Sequence, residues 1–208
     1  MRNAAILSRR NGNQRVSRAL DVVLAAGLLA VASPLLAVAA IAIRLESRGP
    51  VFYRQLRVGR DGDPFELWKL RTMVPGAESM GAGIYVIDGD PRITRVGRLL
   101  RRFSLDELPN LVNVLRGEMA IVGPRPTVQE QVDRYTERQR RRLEVKPGIT
   151  GWAQVNGRTS LPWPERIELD VWYVEHRSLR LDLRILARTA RLLATGHGLY
   201  SEDLKQGW

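Results

Sequence analysis

Asp106 and Glu107 stand side by side between the basic pair Arg101–Arg102 and an apolar run that ends at Gly117. Ser104 lies three residues before Glu107. Two readings fit this pattern. In the first, Ser104 caps a helix and Glu107 reaches back to its N–H, while acids in the first turn complement the helix dipole. In the second, adjacent carboxylates divide labour: one holds Mg²⁺ through hard oxygen ligands and the other attacks an electrophile. Arg101 and Arg125, the latter set between Pro124 and Pro126, then supply guanidinium groups that hold phosphate oxygens. The readings are compatible, because a helix N-terminus is itself an anion site. The sequence has no Cys and two His, His176 and His197. Thiolate metal sites are excluded, and both His read as ordinary surface or structural residues.

The elements that must position these groups belong to a chain of 208 residues, a length for one compact domain with an appendage. A hydrophobic share of 44% and a charged share of 26% are globular values. The net charge of +11 comes almost wholly from Arg, with 30 Arg against 3 Lys. Guanidinium groups bind phosphate through two parallel hydrogen bonds, so anionic lipid, phosphorylated small molecules or nucleic acid are the partner classes to weigh. Nucleic acid requires a basic recognition helix or a groove of stacking aromatics. The five Trp and three Phe are not interleaved with Arg in that way, and no nucleic-acid partner is expected.

Residues 19–43, "ALDVVLAAGLLAVASPLLAVAAIAI", are long enough and apolar enough to enter a bilayer. Ser33–Pro34 falls in the middle, where proline removes a backbone donor and kinks or breaks a helix. Both flanks are basic: residues 1–18 carry five Arg and no acid, and Arg44, Arg48, Arg54, Arg57 and Arg60 follow the run. Positive flanks mark the cytoplasmic side. A re-entrant helix-break-helix turning at Ser33–Pro34 satisfies both ends, with the Ser33 hydroxyl bonding a carbonyl freed by the break. A single kinked spanning helix and a signal peptide are the competing forms.

Further along, "VFYRQLRVGRDGDPFELWKLRTM" (51–73) reads as a β-hairpin around a strong turn signal at 60–64. Residues 74–91 read as a surface loop. Helices are expected from Thr94 to about Arg102 and from Ser104 to about Arg116, the second stopped by Gly117. "MAIVGPRP" is a short apolar strand leading to a rigid loop, residues 128–143 are polar and helical, and 146–158 is turn-rich. Leu179 to Ala194 mixes Leu and Arg, as an amphipathic interfacial helix or a core-packed one would. The fold class is α+β: a mainly helical compact domain with a small hairpin, plus the membrane segment. The expected divisions are a basic segment 1–18, the membrane helix 19–43 and a catalytic domain 44–208.

"SLDELPNLVNVLRGEMAIVGPRP", "KPGITGWAQVNGR" and "LDVWYVEHRSLRLDLRIL", in that order after a basic N-terminus, a Ser-Pro-centred apolar run and "FELWKLRTM", resemble the bacterial sugar transferase family of monotopic phosphoglycosyl transferases. The resemblance covers roughly residues 15–195 and looks like the family's minimal catalytic core. It implies transfer of a sugar 1-phosphate from a UDP-sugar to undecaprenyl phosphate, with release of UMP, at the cytoplasmic face of the bacterial inner membrane, as the first step of a surface glycan. Asp106 would be the nucleophile, forming a phosphosugar-aspartyl intermediate, and Glu107 would bind Mg²⁺. Lys69, Arg101, Arg125, Arg158 and Asp170 would bind substrate or its phosphates, and Ser33 and Pro34 would form the membrane break. Inner-membrane lipids are implied partners. The sugar, the glycan and the oligomeric state, a homodimer included, stay open.

Overall fold

The apolar run folds as part of one long helix, α1 (Arg2–Glu46), in a computed structural model that describes residues 2–81, 83, 89–157 and 161–195. Helical backbone continues through Ser33 and Pro34, which corrects the expected helix-break-helix to a continuous helix. The physical reason is local. Pro34 has no N–H, so the Ala30 carbonyl four residues back loses its helical partner. Ser33 Oγ donates to that carbonyl at 2.8 Å, and the helix survives the proline.

α1 lies along the rest of the chain and touches it near both ends of its apolar stretch. Arg18 donates to the carbonyls of Val114 at 2.5 Å and Leu115 at 2.9 Å, and Asp21 Oδ1 accepts from the Ile121 N–H at 3.0 Å. At the other end Glu46 accepts from the backbone N–H groups of Arg95 and Val96 at 2.6 and 2.9 Å. Between these points Ala25 and Leu29 join the main core, and Ala39 and Ile43 pack with Leu70 and Leu100. The opposite face is apolar and open: Val23, Leu28, Val31, Leu35, Val38, Ile41 and Leu45 are exposed.

The hairpin forms as its alternation predicts. β1 (Phe52–Val58) pairs antiparallel with β2 (Pro64–Leu70), Tyr53 opposite Lys69 and Arg57 opposite Phe65. Asp61 and Gly62 take positive φ (58° and 92°) in the 3-10 turn between them, where Asp and Gly tolerate it. Side chains two apart share a face. Tyr53, Gln55 and Arg57 therefore point the same way as Phe65, Leu67 and Lys69. α2 (Arg95–Arg102) begins where expected, with Thr94 Oγ1 accepting from the Gly97 N–H at 2.9 Å. Gly97 is required there: a Cβ would stand 2.0 Å from the Thr72 carbonyl oxygen.

The second predicted helix starts late. A 3-10 turn covers Leu105–Glu107, and α3 runs from Asn110 to Arg116 before Gly117 ends it at φ 86°. A helix begun at Ser104 would need an N–H at Pro109, which has none. β3 (Ala120–Val122) then pairs in parallel with β4 (Gly148–Thr150) across a chain separation in which α4 (Gln129–Val132), α5 (Glu137–Arg140) and a 3-10 turn at Arg141–Glu144 intervene. The crossing is close. A Cβ on Gly148 would fall 2.1 Å from the Gly123 nitrogen. α6 (Trp152–Val155), α7 (Trp163–His176) and α8 (Leu179–Thr195) complete the described chain. α8 buries Leu181 and Ile185 in the main core, as a core-packed helix does, and leaves Leu179, Leu183 and Leu193 exposed.

Candidate active site

Ser104 does not cap. It adopts the left-handed conformation (φ 54°, ψ 25°) and its side chain makes no cap hydrogen bond. For a residue with a Cβ this conformation costs about 1 kcal/mol or more. It turns the chain sharply between α2 and the 3-10 turn, with Ser104 N–H on the Arg101 carbonyl at 3.0 Å and Glu107 N–H on the Ser104 carbonyl at 3.3 Å. The two carboxylates are thereby presented at the base of α3, Asp106 being only 9% exposed.

Four cations converge on this turn. Lys69 Nζ and Arg125 Nη2 both donate to Glu107 Oε1, at 2.8 and 2.7 Å. Arg101 is held by its Nε on Thr72 Oγ1 at 2.8 Å, and its charge acts on Asp106. Arg57 lines the same open pocket, of about 280 Å³, with Lys69, Glu107, Asn110 and Arg125. Its buried Nε has no hydrogen-bond partner. Arg57 is not among the residues the motifs point to; the signal for it is the Tyr53-x-Gln55-x-Arg57 alternation opposite Phe65, Leu67 and Lys69 of β2.

The electrostatics separate the two acids. Burial, and then the neighbouring Glu107 charge, push Asp106 above the usual carboxylate range, partly offset by Lys69, Arg101 and Arg125. Burial acts the same way on Glu107 but is overcome by Arg125 and Lys69, which hold it well below that range. Glu107 is thus a fixed anion. Asp106, to which no described residue donates a hydrogen bond, carries an uncommitted carboxylate. Burial and the nearby Arg125 push Arg57 down to about 10, still charged at neutral pH.

The remaining predicted residues are placed differently. Asp170 is buried on α7 and pairs with Arg142 at 2.5 Å, away from the pocket lining. Arg158 lies outside the described residues, as does His197. His176 stacks on Trp172, with ring centroids 4.3 Å apart, and does not line the carboxylate pocket. Ser33 and Pro34 lie on the long helix and take no part in the turn.

The donor set suits a hard cation. Among the described residues no cluster of three His, Cys, Asp or Glu side chains is present, so protein carboxylates alone do not enclose a metal. The adjacent Asp106 and Glu107 offer oxygen only. Asn110, 3% exposed and lining the same pocket, has a buried Oδ1 with no partner, a further neutral oxygen. Mg²⁺ accepts few protein oxygens and completes its shell with water and substrate phosphate. The residues present fit that ion.

Comparison with known proteins follows the same line. Residues 12–196 match the bacterial sugar transferase family. The chain is 45% identical to the uncharacterized sugar transferase EpsL of Bacillus subtilis over 184 residues, 88% of this chain and 90% of that one. It is 44% identical over 185 residues to the UDP-glucose:undecaprenyl-phosphate glucose-1-phosphate transferase of Escherichia coli, covering 85% of this chain and 40% of that protein. The UDP-N-acetylgalactosamine-undecaprenyl-phosphate N-acetylgalactosaminephosphotransferase of Aeromonas hydrophila is 40% identical over 189 residues, 88% of this chain and 44% of its own. With the match running through nearly all of α1 to α8, this chain belongs to the bacterial sugar transferase family.

Proposed function

We propose that the protein transfers a sugar 1-phosphate from a UDP-sugar to undecaprenyl phosphate and releases UMP. The observation that carries this is an uncommitted buried carboxylate, Asp106, set among Arg57, Lys69, Arg101 and Arg125. An Asp106 oxygen attacks the phosphorus bonded to the sugar. An O–P bond forms as the bond to the UMP oxygen breaks, and UMP leaves with the electron pair. The phosphate oxygen of the lipid then attacks the same phosphorus, displacing Asp106 as a carboxylate and giving the lipid-linked diphosphosugar. Arg125, Lys69 and Arg57 hold the diphosphate oxygens, whose charge shifts toward the leaving group in the transition state. Glu107, kept ionised, would hold Mg²⁺, which when bound neutralises phosphate charge and stabilises the leaving oxygen. Relatives named for glucose and N-acetylgalactosamine donors support a nucleotide-sugar substrate without fixing which sugar. The product is the first lipid-linked unit of a bacterial surface glycan. The test is a panel of UDP-sugars with undecaprenyl phosphate, scored for the released nucleotide. One donor giving UMP in step with lipid product is expected. Release of UDP, or no turnover on any donor, overturns the assignment.

The same reading lays α1, as a continuous helix, in the cytoplasmic leaflet of the inner membrane, a monotopic element with both ends on the cytoplasmic face. Support comes from the contacts at Arg18 and Asp21 and at Glu46, which seat both ends of the apolar stretch on one domain. Ends on opposite sides of a bilayer core of about 30 Å could not both rest on a domain confined to one side. The exposed apolar faces of α1 and α8 then meet lipid, with Arg180, Arg184 and Arg191 of α8 near headgroup phosphates. The native chain has no Cys, so Arg10→Cys and Arg48→Cys give clean probes. A membrane-impermeant thiol reagent added from the periplasmic side is expected to label neither. Labelling of either one shows a spanning helix.

A further inference from the structure

We propose that the buried Arg142–Asp170 pair is a positioning device for the transfer reaction, fixing the backbone of Arg125 so that its guanidinium stays at Glu107 in the pocket. The inference rests on the phosphoglycosyl-transfer reading of that pocket. Its starting point is the loop Gly123-Pro124-Arg125-Pro126, in which two prolines remove backbone donors and leave carbonyls as the main anchoring groups. Three carbonyls in it and just after it are held from three directions. Gly148 N–H donates to Pro124 O at 2.8 Å and Val58 N–H to Thr127 O at 2.9 Å. The carbonyl of Arg125 itself is held by a side chain, Arg142 Nη2, at 2.9 Å.

Arg142 is fixed in turn. Its Nη1 donates to the Tyr135 hydroxyl and its Nη2 to Asp170 Oδ2, each at 2.5 Å, and both Arg142 and Asp170 are 2% exposed. A buried ion pair is a poor source of net stability, because desolvating both charges offsets most of their attraction. A neutral donor would satisfy one carbonyl. The planar guanidinium fork instead sets a direction: with Nη1 on Tyr135 and Nη2 on Asp170, the second Nη2 hydrogen is aimed at Arg125 O. Arg125 Nη2 reaches Glu107 Oε1 at 2.7 Å, so the contacts run unbroken from Asp170 through Arg142 and Arg125 to the carboxylate turn. Asp170 does not line the reaction pocket and acts only through Arg125.

The test is a double-mutant cycle on the full-length protein. Asp170→Asn, Arg142→Lys and the milder Tyr135→Phe are each made alone and with Arg125→Ala. Rates of UMP release are expressed per folded molecule, from the folded fraction in a thermal melt. Hydrogen exchange is followed in a peptide spanning residues 120–128. Alone, Asp170→Asn is expected to lower kcat by about 10- to 100-fold, the scale of a misplaced catalytic group, and to speed exchange in 120–128. With Arg125→Ala already present, the same change lowers kcat by less than about twofold, since the group it positions is gone. Should Asp170→Asn fold poorly, Tyr135→Phe carries the same comparison with a smaller loss. An equal loss in both backgrounds, or unchanged rate and exchange in the single variants, overturns the proposal. A wild type inactive on every UDP-sugar speaks against the transfer reading instead, and the exchange comparison then still decides whether the pair holds the loop.

Discussion

Asp106→Asn is expected to abolish turnover while leaving the protein at least as stable as the native chain. An amide is a poor nucleophile toward phosphorus and cannot form the acyl phosphate, so kcat falls by about 10⁴-fold or more. Stability moves the other way. Burial and the Glu107 charge raise the folded-state pKa of Asp106 above its unfolded value. A group shifted in that direction disfavours folding at every pH where it is ionised, and the disadvantage disappears as pH falls through the raised value. Asn keeps the size and removes the charge, so a thermal melt at neutral pH shows an unchanged or higher midpoint. Native protein given a turned-over UDP-sugar and Mg²⁺ without lipid is expected to release at most one equivalent of UMP and to gain one sugar phosphate, mapped by peptide mass to Asp106. A fully active Asn variant, or kinetics requiring both substrates bound together, would sink the covalent step and leave the phosphate site standing.

Glu107→Gln carries the second large effect. The structure removes the view of Glu107 as a helix cap, since Ser104 makes no cap bond and the Glu107 side chain is committed to Lys69 and Arg125. Gln keeps one acceptor oxygen but leaves Arg57, Lys69 and Arg125 facing one another without their fixed anion. A loss of at least about 100-fold in kcat is expected, comparable with removing a group aimed at transition-state charge. The pH dependence gives a sign that a simple folding defect would not. The proposed covalent step requires Asp106 ionised, so on that mechanism the acid limb of the native rate profile lies above the ordinary carboxylate range. Glu107 raises the Asp106 pKa and Lys69 lowers it. In single-turnover UMP release, the acid limb therefore shifts to lower pH in Glu107→Gln and to higher pH in Lys69→Met. Limbs that stay together in all three proteins show that Asp106 does not govern the profile.

Local signals were legible in the sequence and long-range ones were not. The hairpin follows from alternation around Asp61–Gly62, and α2 from Thr94 and the spacing of Val96, Leu99 and Leu100. Ser104 shows how a correct local pattern fails. Ser-x-x-Glu has the chemistry of a cap, but Pro109, five residues on, denies the helix an early N–H and pushes its start to Asn110. β3 and β4 are three residues each and meet only because Gly123 and Gly148 let backbones approach, which no short window reveals. For α7 the local start signal is Pro164 in its first turn. Arg142 sits in the run Arg138-Gln139-Arg140-Arg141-Arg142, which reads as a solvated polar stretch, and only the assembled fold turns this one inward against Asp170. For the site, the carboxylate pair, Lys69, Arg101 and Arg125 were found from residue type and motif. Arg57 and Asn110 needed the pocket.

The contact between Asp21 and Ile121 joins α1 to β3, four residues before Arg125. Ala25 and Leu29 sit in the same core as Ile121 and Val122. What looks like a detachable anchor is therefore structural material of the catalytic domain. Clipping the chain ahead of residue 44 to make it easier to handle would strip one wall from that core and unmoor the strand that leads into the reactive loop. The choice of detergent or lipid becomes, by the same route, a variable of the rate: an amphiphile that pries the helix from its seat detunes the chemistry without touching a catalytic residue.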